Sequence, residues 1–384
     1  TTEIYTLSLH DALPILGRPD FAVMKNGLLV GYVELKAPGK GVVGSSFTGH
    51  NARQFKRFSA LPNLLYSDGN SWALYRGGVA VRGPVEVGGV ITSAGRSAVG
   101  AGVAPQFHAL LHDFLTWDPI IPKDSDGNID LKGFAALLAP LTGMLRDDVV
   151  DDLKKQDSPL FNLAEDWRQL LFPEATDSQF ADAYAQTVTF ALLLGRSEGA
   201  DPLSRESAVR KLASKHSLLS RALLVLTDES SSERTLASLD MLTRVIGAVQ
   251  ICDLGSRQNG GEPSIGPWLY FYEDFLAQYD KKLRAEVGAY YTPIEVVRCQ
   301  VRLVDEIISK QLGRHRGYTD DGVVTLDPAT GTGTYLLGVI EHALRRVAVE
   351  QGSGAVAGQA TRLAKNLFGF EWLVGPYAVT ELRV

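Results

Sequence analysis

Three places in this chain set residue types at spacings that can do chemistry. The first is Thr325-Leu326-Asp327-Pro328-Ala329-Thr330-Gly331-Thr332-Gly333-Thr334-Tyr335-Leu336, a glycine-rich turn between a β-run and an amphipathic stretch. Glycines let the backbone approach a ligand, so a turn of this kind seats a nucleoside cofactor. A second acid, Glu371, closes the next short β-run, Leu367-Phe368-Gly369-Phe370, where a carboxylate can hold two ribose hydroxyls. The spelling is not GxGxxG, and Asp327 to Glu371 exceeds the ~20 residues usual in dinucleotide folds, so an extra helix must lie between them. The second place is Pro19-Asp20, then thirteen residues, then Glu34-Leu35-Lys36. Side chains alternate along a strand, so Glu34 and Lys36 share a face while Leu35 packs into the core behind. Asp20 begins the preceding strand, and hairpin pairing brings its carboxylate beside Glu34. Two carboxylates on one patch make a hard oxygen site of the kind Mg²⁺ selects, with water and phosphate oxygens completing its shell. Such a metal activates water and neutralises phosphate charge during hydrolysis, with Lys36 orienting the water or stabilising the charge. A surface hairpin carrying Glu and Lys has the same pattern. The third place is Tyr291-Thr292-Pro293, where Pro293 suits the first helical position and Thr292 the N-cap of a helix from Ile294 to Ile308.

The elements that must position these residues fall into regions. Residues 17–85 read as an α/β unit built on hairpins, with strands at Phe21 to Val23 and Leu28 to Leu35 about a Lys25-Asn26-Gly27 turn. A helix near Asn51 to Leu61 follows, then strands Leu64 to Tyr66 and Trp72 to Tyr75 joined by Asp68-Gly69-Asn70. Residues 86–104 are rich in Gly, Ser, Ala and Val and read as a linker. Residues 105–287 read as a helical connector: Phe180, Ala183, Tyr184, Thr187, Val188, Ala191 and Leu192 form one apolar stripe, and Tyr272, Phe275, Leu276, Tyr279 and Leu283 another. These aromatics are expected in the core rather than as base-stacking platforms. From residue 288 the α/β pattern returns, with Val323, Val324 and Leu326 as a short buried strand and Leu336, Val339, Ile340 and Leu344 at helical spacing.

Composition narrows the classes. At 384 residues with 45% hydrophobic content, the chain has room for two or three domains of ~100–200 residues. Cys252 and Cys299 lack CxxC spacing, so neither a disulfide scaffold nor a zinc site is supported. No apolar run reaches the ~20 residues that span a bilayer, and residues 1–16 lack the basic start and apolar core of a signal peptide. A cytosolic protein without a membrane partner is expected. The net charge of −6 does not decide on nucleic acid, since DNA binding depends on local basic surface. Asp124 to Asp130 has its glycine too early for an EF-hand and reads as a polar turn. The seven histidines are scattered and support no metal site. Residues 86–287 contain no G-x-x-x-x-G-K-[ST] loop, which argues against an ATP-driven motor there.

The spelling D-P-A-x-G-T-G-x-Y-L across Asp327 to Leu336 resembles the first motif of amino-group DNA methyltransferases that use S-adenosylmethionine. The resemblance implies cofactor contacts at Asp327, Ala329, Gly331 and Gly333, with Glu371 on the ribose. Phe271 to Pro293 is similar to the entrance of adenine-N6 methyltransferase domains of restriction-modification enzymes, which implies Tyr291 and Thr292 over the methionine end of the cofactor. Asp20 to Arg76 resembles the PD-(D/E)xK nuclease core. That likeness implies Asp20, Glu34, Lys36 and Gln54 as catalytic residues, Asp20 and Glu34 as Mg²⁺ ligands, and Lys56 and Arg57 near phosphate.

Together these features resemble a single-chain restriction-modification enzyme of the Type IIG kind. The implied fold class is α/β: a nuclease-like domain at 17–85, a linker at 86–104, a helical connector at 105–287, and at 288–384 the start of a Rossmann-like methyltransferase domain. Residues 1–16 are read as a doubtful, non-native or disordered start, because Tyr5 to Ile15 resembles translated sequencing adaptor. The implied activities of the full-length protein are Mg²⁺-dependent hydrolysis of double-stranded DNA and S-adenosylmethionine-dependent adenine-N6 methylation. The implied setting is the cytoplasm of a bacterium or archaeon, with a target-recognition domain or subunit downstream. Such methyltransferases hold the flipped adenine with an Asn/Asp-Pro-Pro-Tyr/Phe loop, and no such run occurs in the 384 residues. The chain is therefore read as an internal fragment that binds the cofactor without transferring its methyl group. Two alternatives stand beside this reading: a methyltransferase acting on RNA or protein with an inactive amino-terminal module, and a non-catalytic DNA-binding component.

Overall fold

The computed structural model describes residues 4–8, 19–25, 28–170, 173–214, 216–227, 233–250, 271–279, 292–372, 376–377 and 379–380. The fold is mixed α/β. Its strands are β1 (Ile4–Ser8), β2 (Phe21–Lys25), β3 (Leu28–Leu35), β4 (Leu64–Ser67), β5 (Ser71–Arg76), β6 (Val79–Glu86), β7 (Thr325–Asp327) and β8 (Leu367–Gly369). The helices used below are α1 (Gly49–Phe58), α2 (Ala104–Leu115), α3 (Leu131–Leu153), α4 (Asp177–Ser197), α5 (Ser217–Leu226), α6 (Glu233–Gly247), α7 (Phe271–Tyr279), α8 (Ile294–Lys310), α9 (Thr334–Gln351) and α10 (Val356–Lys365). Two compact units form. One comprises Thr1–Asp126, Ala136–Ala185 and Thr227–Ala248, the other Gly127–Ala135, Gln186–Leu226 and Val249–Val384. Among the described residues no helix is long and apolar enough to cross a membrane.

The first unit is built on a six-stranded sheet in the order β1-β2-β3-β4-β5-β6. All neighbours are antiparallel except β3 and β4, which run parallel because α1 carries the chain back between them. Ile4–Ser8 pairs with β2. The Asp68-Gly69-Asn70 turn joins β4 to β5, with the Asp68 carboxylate accepting from the amides of Asn70 and Ser71 at 3.1 and 2.7 Å. Helix α2 covers one sheet face, packing Leu110 and Phe114 on Val23, Leu65, Leu74 and Val85. Asn63 ties sheet to helix, its Nδ2 donating to the carbonyls of Val30 at 3.0 Å and Phe114 at 2.9 Å. A side chain at position 31 would collide there, with a Cβ only 2.5 Å from Asn63 O, so only glycine fits β3 at that point. Residues 87–103 hold two short helical turns, with Val87 and Ala98 buried. Helix α6 returns to this unit late in the chain. Its Arg244 donates to Leu29 O at 2.7 Å and to the Trp117 carbonyl, while Thr235 Oγ1 donates to Asp152 of α3 at 2.7 Å.

The stripes read from sequence are buried at Phe180 and Tyr184 in the first unit and at Val188, Ala191, Leu192, Tyr272, Phe275 and Leu276 in the second, with Tyr279 half-buried. Phe190 of α4 packs edge-on against Phe275 of α7, and Tyr272 Oη donates to Gln186 Oε1 at 2.8 Å. Leu283 of the second stripe lies outside the described residues. Helix α8 lays Val297, Val301 and Ile308 on Val339 and Ala343 of α9 and Leu363 of α10. Asp305 of α8 staples the group: it accepts from Tyr318 N at 3.2 Å and Arg346 Nη1 at 2.9 Å, with His342 Nε2 3.0 Å away. Strands β7 and β8 pair in parallel, and both α9 and α10 lie between them in sequence, so α10 is the extra helix that the long Asp327 to Glu371 separation requires.

Three local expectations need correction. The strand expected at Val323 to Leu326 is Thr325–Asp327, and it is not buried: Val324 is 67% and Leu326 50% exposed. Phe368, paired with Leu326 across β7 and β8, is likewise 50% exposed. Leu35, expected in the core, is 43% exposed because β3 ends at it. At the third motif Pro293, not Thr292, is the N-cap, since its ψ of 136° is extended and the helix begins at Ile294.

Candidate functional site

The β2–β3 register sets Phe21 opposite Val33, which carries Asp20 to the end of β3 as the hairpin reading requires. Asp20 Oδ2 accepts the Leu35 amide at 2.6 Å. Glu34 is 2% exposed, and its Oε1 accepts from Lys36 Nζ at 2.7 Å. The same ammonium donates to Gln54 Oε1 from α1. Lys36 lies one residue beyond the strand, yet its amide still donates to Ser67 O at 2.7 Å, which keeps its side chain on the Glu34 face. Asp20, Glu34, Lys36 and Gln54 are thus brought together by β2, β3 and α1. Arg57 does not join them as a free phosphate-binding cation, because it pairs with Asp147.

Burial pushes the Glu34 carboxyl up to about 7; the Asp20 charge adds to this, and the hydrogen bond from Lys36 opposes it. Glu34 Oε2 is buried with no hydrogen-bond partner. An orphaned carboxylate oxygen beside a second acid fits a hard cation, which would supply the missing partner and restore the charged form. Among the described residues no group of three or more His, Cys, Asp or Glu is placed to hold a metal. A cation here would rest on two carboxylates, with water and phosphate oxygens for the remainder.

Sequence reasoning missed Tyr66. Parallel pairing sets it directly beside Glu34 on β4, and its ring centroid lies 5.6 Å from Lys36 Nζ. It belongs to an aromatic cluster with Phe47, Phe55 and Tyr75. Burial raises its hydroxyl well above the usual tyrosine range, and the Glu34 charge adds to this. The pairing follows from the α1 crossover, a long-range property that alternation within β4 does not reveal.

The glycine-rich turn forms the other site. Asp327 ends β7; its Oδ1 accepts the Ala329 amide at 3.1 Å, and its Oδ2 is buried without a partner. Gly331 and Gly333 take left-handed conformations, with φ of 56° and 82°. The Gly331 amide donates to Glu371 Oε2 at 2.8 Å, so the acid after β8 is folded onto the turn after β7. Backbone bonds of 2.9 Å from Phe370 N to Asp327 O and from Thr330 N to Phe370 O fix the two loops together. A Cβ at Gly331 would meet nothing within 4 Å, so the turn opens onto free space. Beside it is a cavity of about 280 Å³ lined by His216, Thr330, Leu336, Gly369, Glu371 and Thr380 among others. His216 and Thr380 were not found from sequence; Thr380 Oγ1 donates to Gly331 O at 2.9 Å. The structure brings Asp327, Ala329, Gly331, Gly333 and Glu371 together. Thr292 is half-buried before α8, and Tyr291 lies outside the described residues.

Residues 270–383 match the family described as N-6 DNA Methylase. This segment is similar to N-6 DNA methylase domains. No curated protein matches the chain. Among solved structures, the chain is similar to one described as the DrdV-DNA complex, at 17% identity and TM-score 0.39, covering 99% of this chain and 34% of that one. It is similar to a nuclease-deletion mutant of the Type ISP restriction-modification enzyme LlaGI in complex with a DNA substrate mimic, at 16% identity and TM-score 0.40, covering 66% and 19%. It is also similar to the ATP-dependent Type ISP restriction-modification enzyme LlaBIII bound to DNA, at 18% identity and TM-score 0.45, covering 65% and 16%. The chain spans about a third or less of the length of each. Within the matched segment lie α7, α8, α9, α10, β7 and β8, and hence the glycine-rich turn and Glu371.

Proposed function

We propose that the chain is part of a restriction-modification enzyme, in which the N-6 DNA methylase domain binds S-adenosylmethionine for adenine-N6 methylation of double-stranded DNA. The observation that carries this reading is the Glu371 carboxylate folded onto the Gly331 amide, next to the unpartnered Asp327 Oδ2. When bound, S-adenosylmethionine supplies an activated methyl group. Asp327 and the turn from Ala329 to Gly333 would hold the amino-acid part, Glu371 the ribose hydroxyls, and Thr292, with Tyr291, the methionine end. The glycines keep a side chain from blocking the ligand, and Thr380 fixes the turn through the Gly331 carbonyl. Calorimetric titration tests this: Asp327→Ala should weaken S-adenosylmethionine binding at least about tenfold, the loss of a charge-assisted hydrogen bond. Unchanged affinity would remove the assignment.

We infer for the first unit a Mg²⁺-dependent cleavage of DNA by the Asp20, Glu34, Lys36 and Gln54 group. Bound between Asp20 and Glu34, Mg²⁺ would lower the barrier to phosphodiester hydrolysis by stabilising negative charge. Glu34 anchors Lys36, Gln54 turns its ammonium, and the Leu35 amide fixes Asp20. This geometry leaves the Lys36 head aimed by two acceptors rather than mobile. Glu34→Ala in the full-length protein should reduce cleavage in Mg²⁺ by at least about a hundredfold while leaving DNA binding intact. Cutting at the unaltered rate would end the nuclease reading.

A further inference from the structure

Tyr66 and Tyr75 sit side by side in one aromatic cluster, their ring centroids 5.7 Å apart, and their hydroxyls are treated differently. The Tyr75 hydroxyl donates to Val42 O at 2.7 Å and accepts the Gly44 amide at 3.0 Å. The Tyr66 hydroxyl is fully buried and has no hydrogen-bond partner. Burying an unsatisfied hydroxyl costs about 1–3 kcal/mol, and phenylalanine would fill the same space without that cost. A core filler therefore does not account for the oxygen. It lies within the fields of both Glu34 and Asp20, and Glu34 Oε2 is the other buried, unpartnered oxygen of the group. Two orphaned polar atoms on neighbouring parallel strands, beside a second acid, mark a place built for something polar that bonds to both.

We propose that Tyr66 is a positioning residue of the Asp20–Glu34 site: its ring face backs the Lys36 ammonium, and its hydroxyl bonds a water in the shell of the cation held by the two carboxylates. This rests on the nuclease reading. The ring half of the role uses the attraction of an ammonium for an aromatic face, at 5.6 Å from Lys36 Nζ to the centroid. The hydroxyl half uses the way outer-shell hydrogen bonds orient what a metal holds. Phe55, which follows Gln54 on α1, packs against the Tyr66 ring with centroids 5.5 Å apart, so the residue that turns Lys36 and the one that backs it are braced together.

The test is Mn²⁺ binding to the whole chain, read by electron paramagnetic resonance without DNA, in Tyr66→Phe, Tyr75→Phe and Glu34→Ala. Tyr66→Phe keeps the ring and deletes one oxygen. It should bind Mn²⁺ about tenfold more weakly, as loss of an outer-shell partner does, while the melting temperature without metal stays equal or rises. Tyr75→Phe should show the opposite pattern, a lower melting temperature with unchanged Mn²⁺ affinity, because its hydroxyl is already satisfied by the backbone. Equal Mn²⁺ affinity in Tyr66→Phe and the unaltered chain, with Glu34→Ala weakened, would overturn the Tyr66 proposal and leave the cation site standing. Equal affinity in all variants, Glu34→Ala included, would overturn both.

Discussion

At the scale of single residues, Glu34 sets how the first site responds to pH. Its carboxyl, ordinarily near 4.5, is pushed up to about 7 by burial. Between those values the folded chain without a cation holds a proton that the unfolded chain has released. The contribution of Glu34 to stability is therefore full below about pH 4.5 and lost as pH rises through about 7. Glu34→Gln keeps the shape and removes the charge, so it should leave stability unchanged near pH 4.5 and raise it near pH 8 by on the order of 3 kcal/mol. Urea unfolding at the two pH values, without divalent metal, checks the sign. The same proton must leave when a cation binds, so Mn²⁺ affinity should climb with pH up to about 7 and then level off. At the other site Gly331 stands at φ 56° with open space where a side chain would go. Gly331→Val would thus act on the turn by backbone strain, about 1–2 kcal/mol, and by filling the ligand's space.

At the scale of elements, close approaches fix the packing. Gly31→Ala would drive a Cβ into Asn63 O, where the separation would be 2.5 Å, and push β3 from α2. A loss of about 1–3 kcal/mol is expected from such overpacking, measurable by chemical denaturation. Asp305→Ala should cost about 3–5 kcal/mol, because Arg346 and the Tyr318 amide lose a buried acceptor in common. How far the sequence could be read follows from the range of the interactions. The Asp20 to Lys36 hairpin was legible because alternation and one turn are local, and Gln54 because a helix follows directly. The Glu371 acid was legible as the end of a short β-run. Tyr66 was not, since only the β3–β4 parallel pairing places it beside Glu34. The exposure of Leu326 was not legible either, because the hydrophobic pattern shows which residues prefer burial but not whether anything covers them.

At the scale of the whole molecule, the 384 residues contain no Asn/Asp-Pro-Pro-Tyr/Phe run, so binding and transfer should separate. The chain should bind S-adenosylmethionine in calorimetry yet transfer no tritiated methyl group from it to DNA, and methyl incorporation above that of Asp327→Ala would contradict this. The first unit is assembled from distant stretches, so its cohesion is also a whole-chain property: Arg244 donates to Leu29 O and Trp117 O from far along the sequence. Arg244→Met should leave both carbonyls without that donor and lower the unfolding midpoint of the sheet.

The Arg244 to Leu29 bond also puts a clock on synthesis. The two residues are 215 positions apart, and a ribosome adding about 5–20 residues each second needs roughly 10–40 seconds to make that distance. For that interval the Leu29 carbonyl lacks its Arg244 donor, and the amino-terminal sheet leaves the exit tunnel before the helix that completes it. The first unit would therefore mature only once its last stretch, Thr227–Ala248, has been translated, well after its strands have emerged.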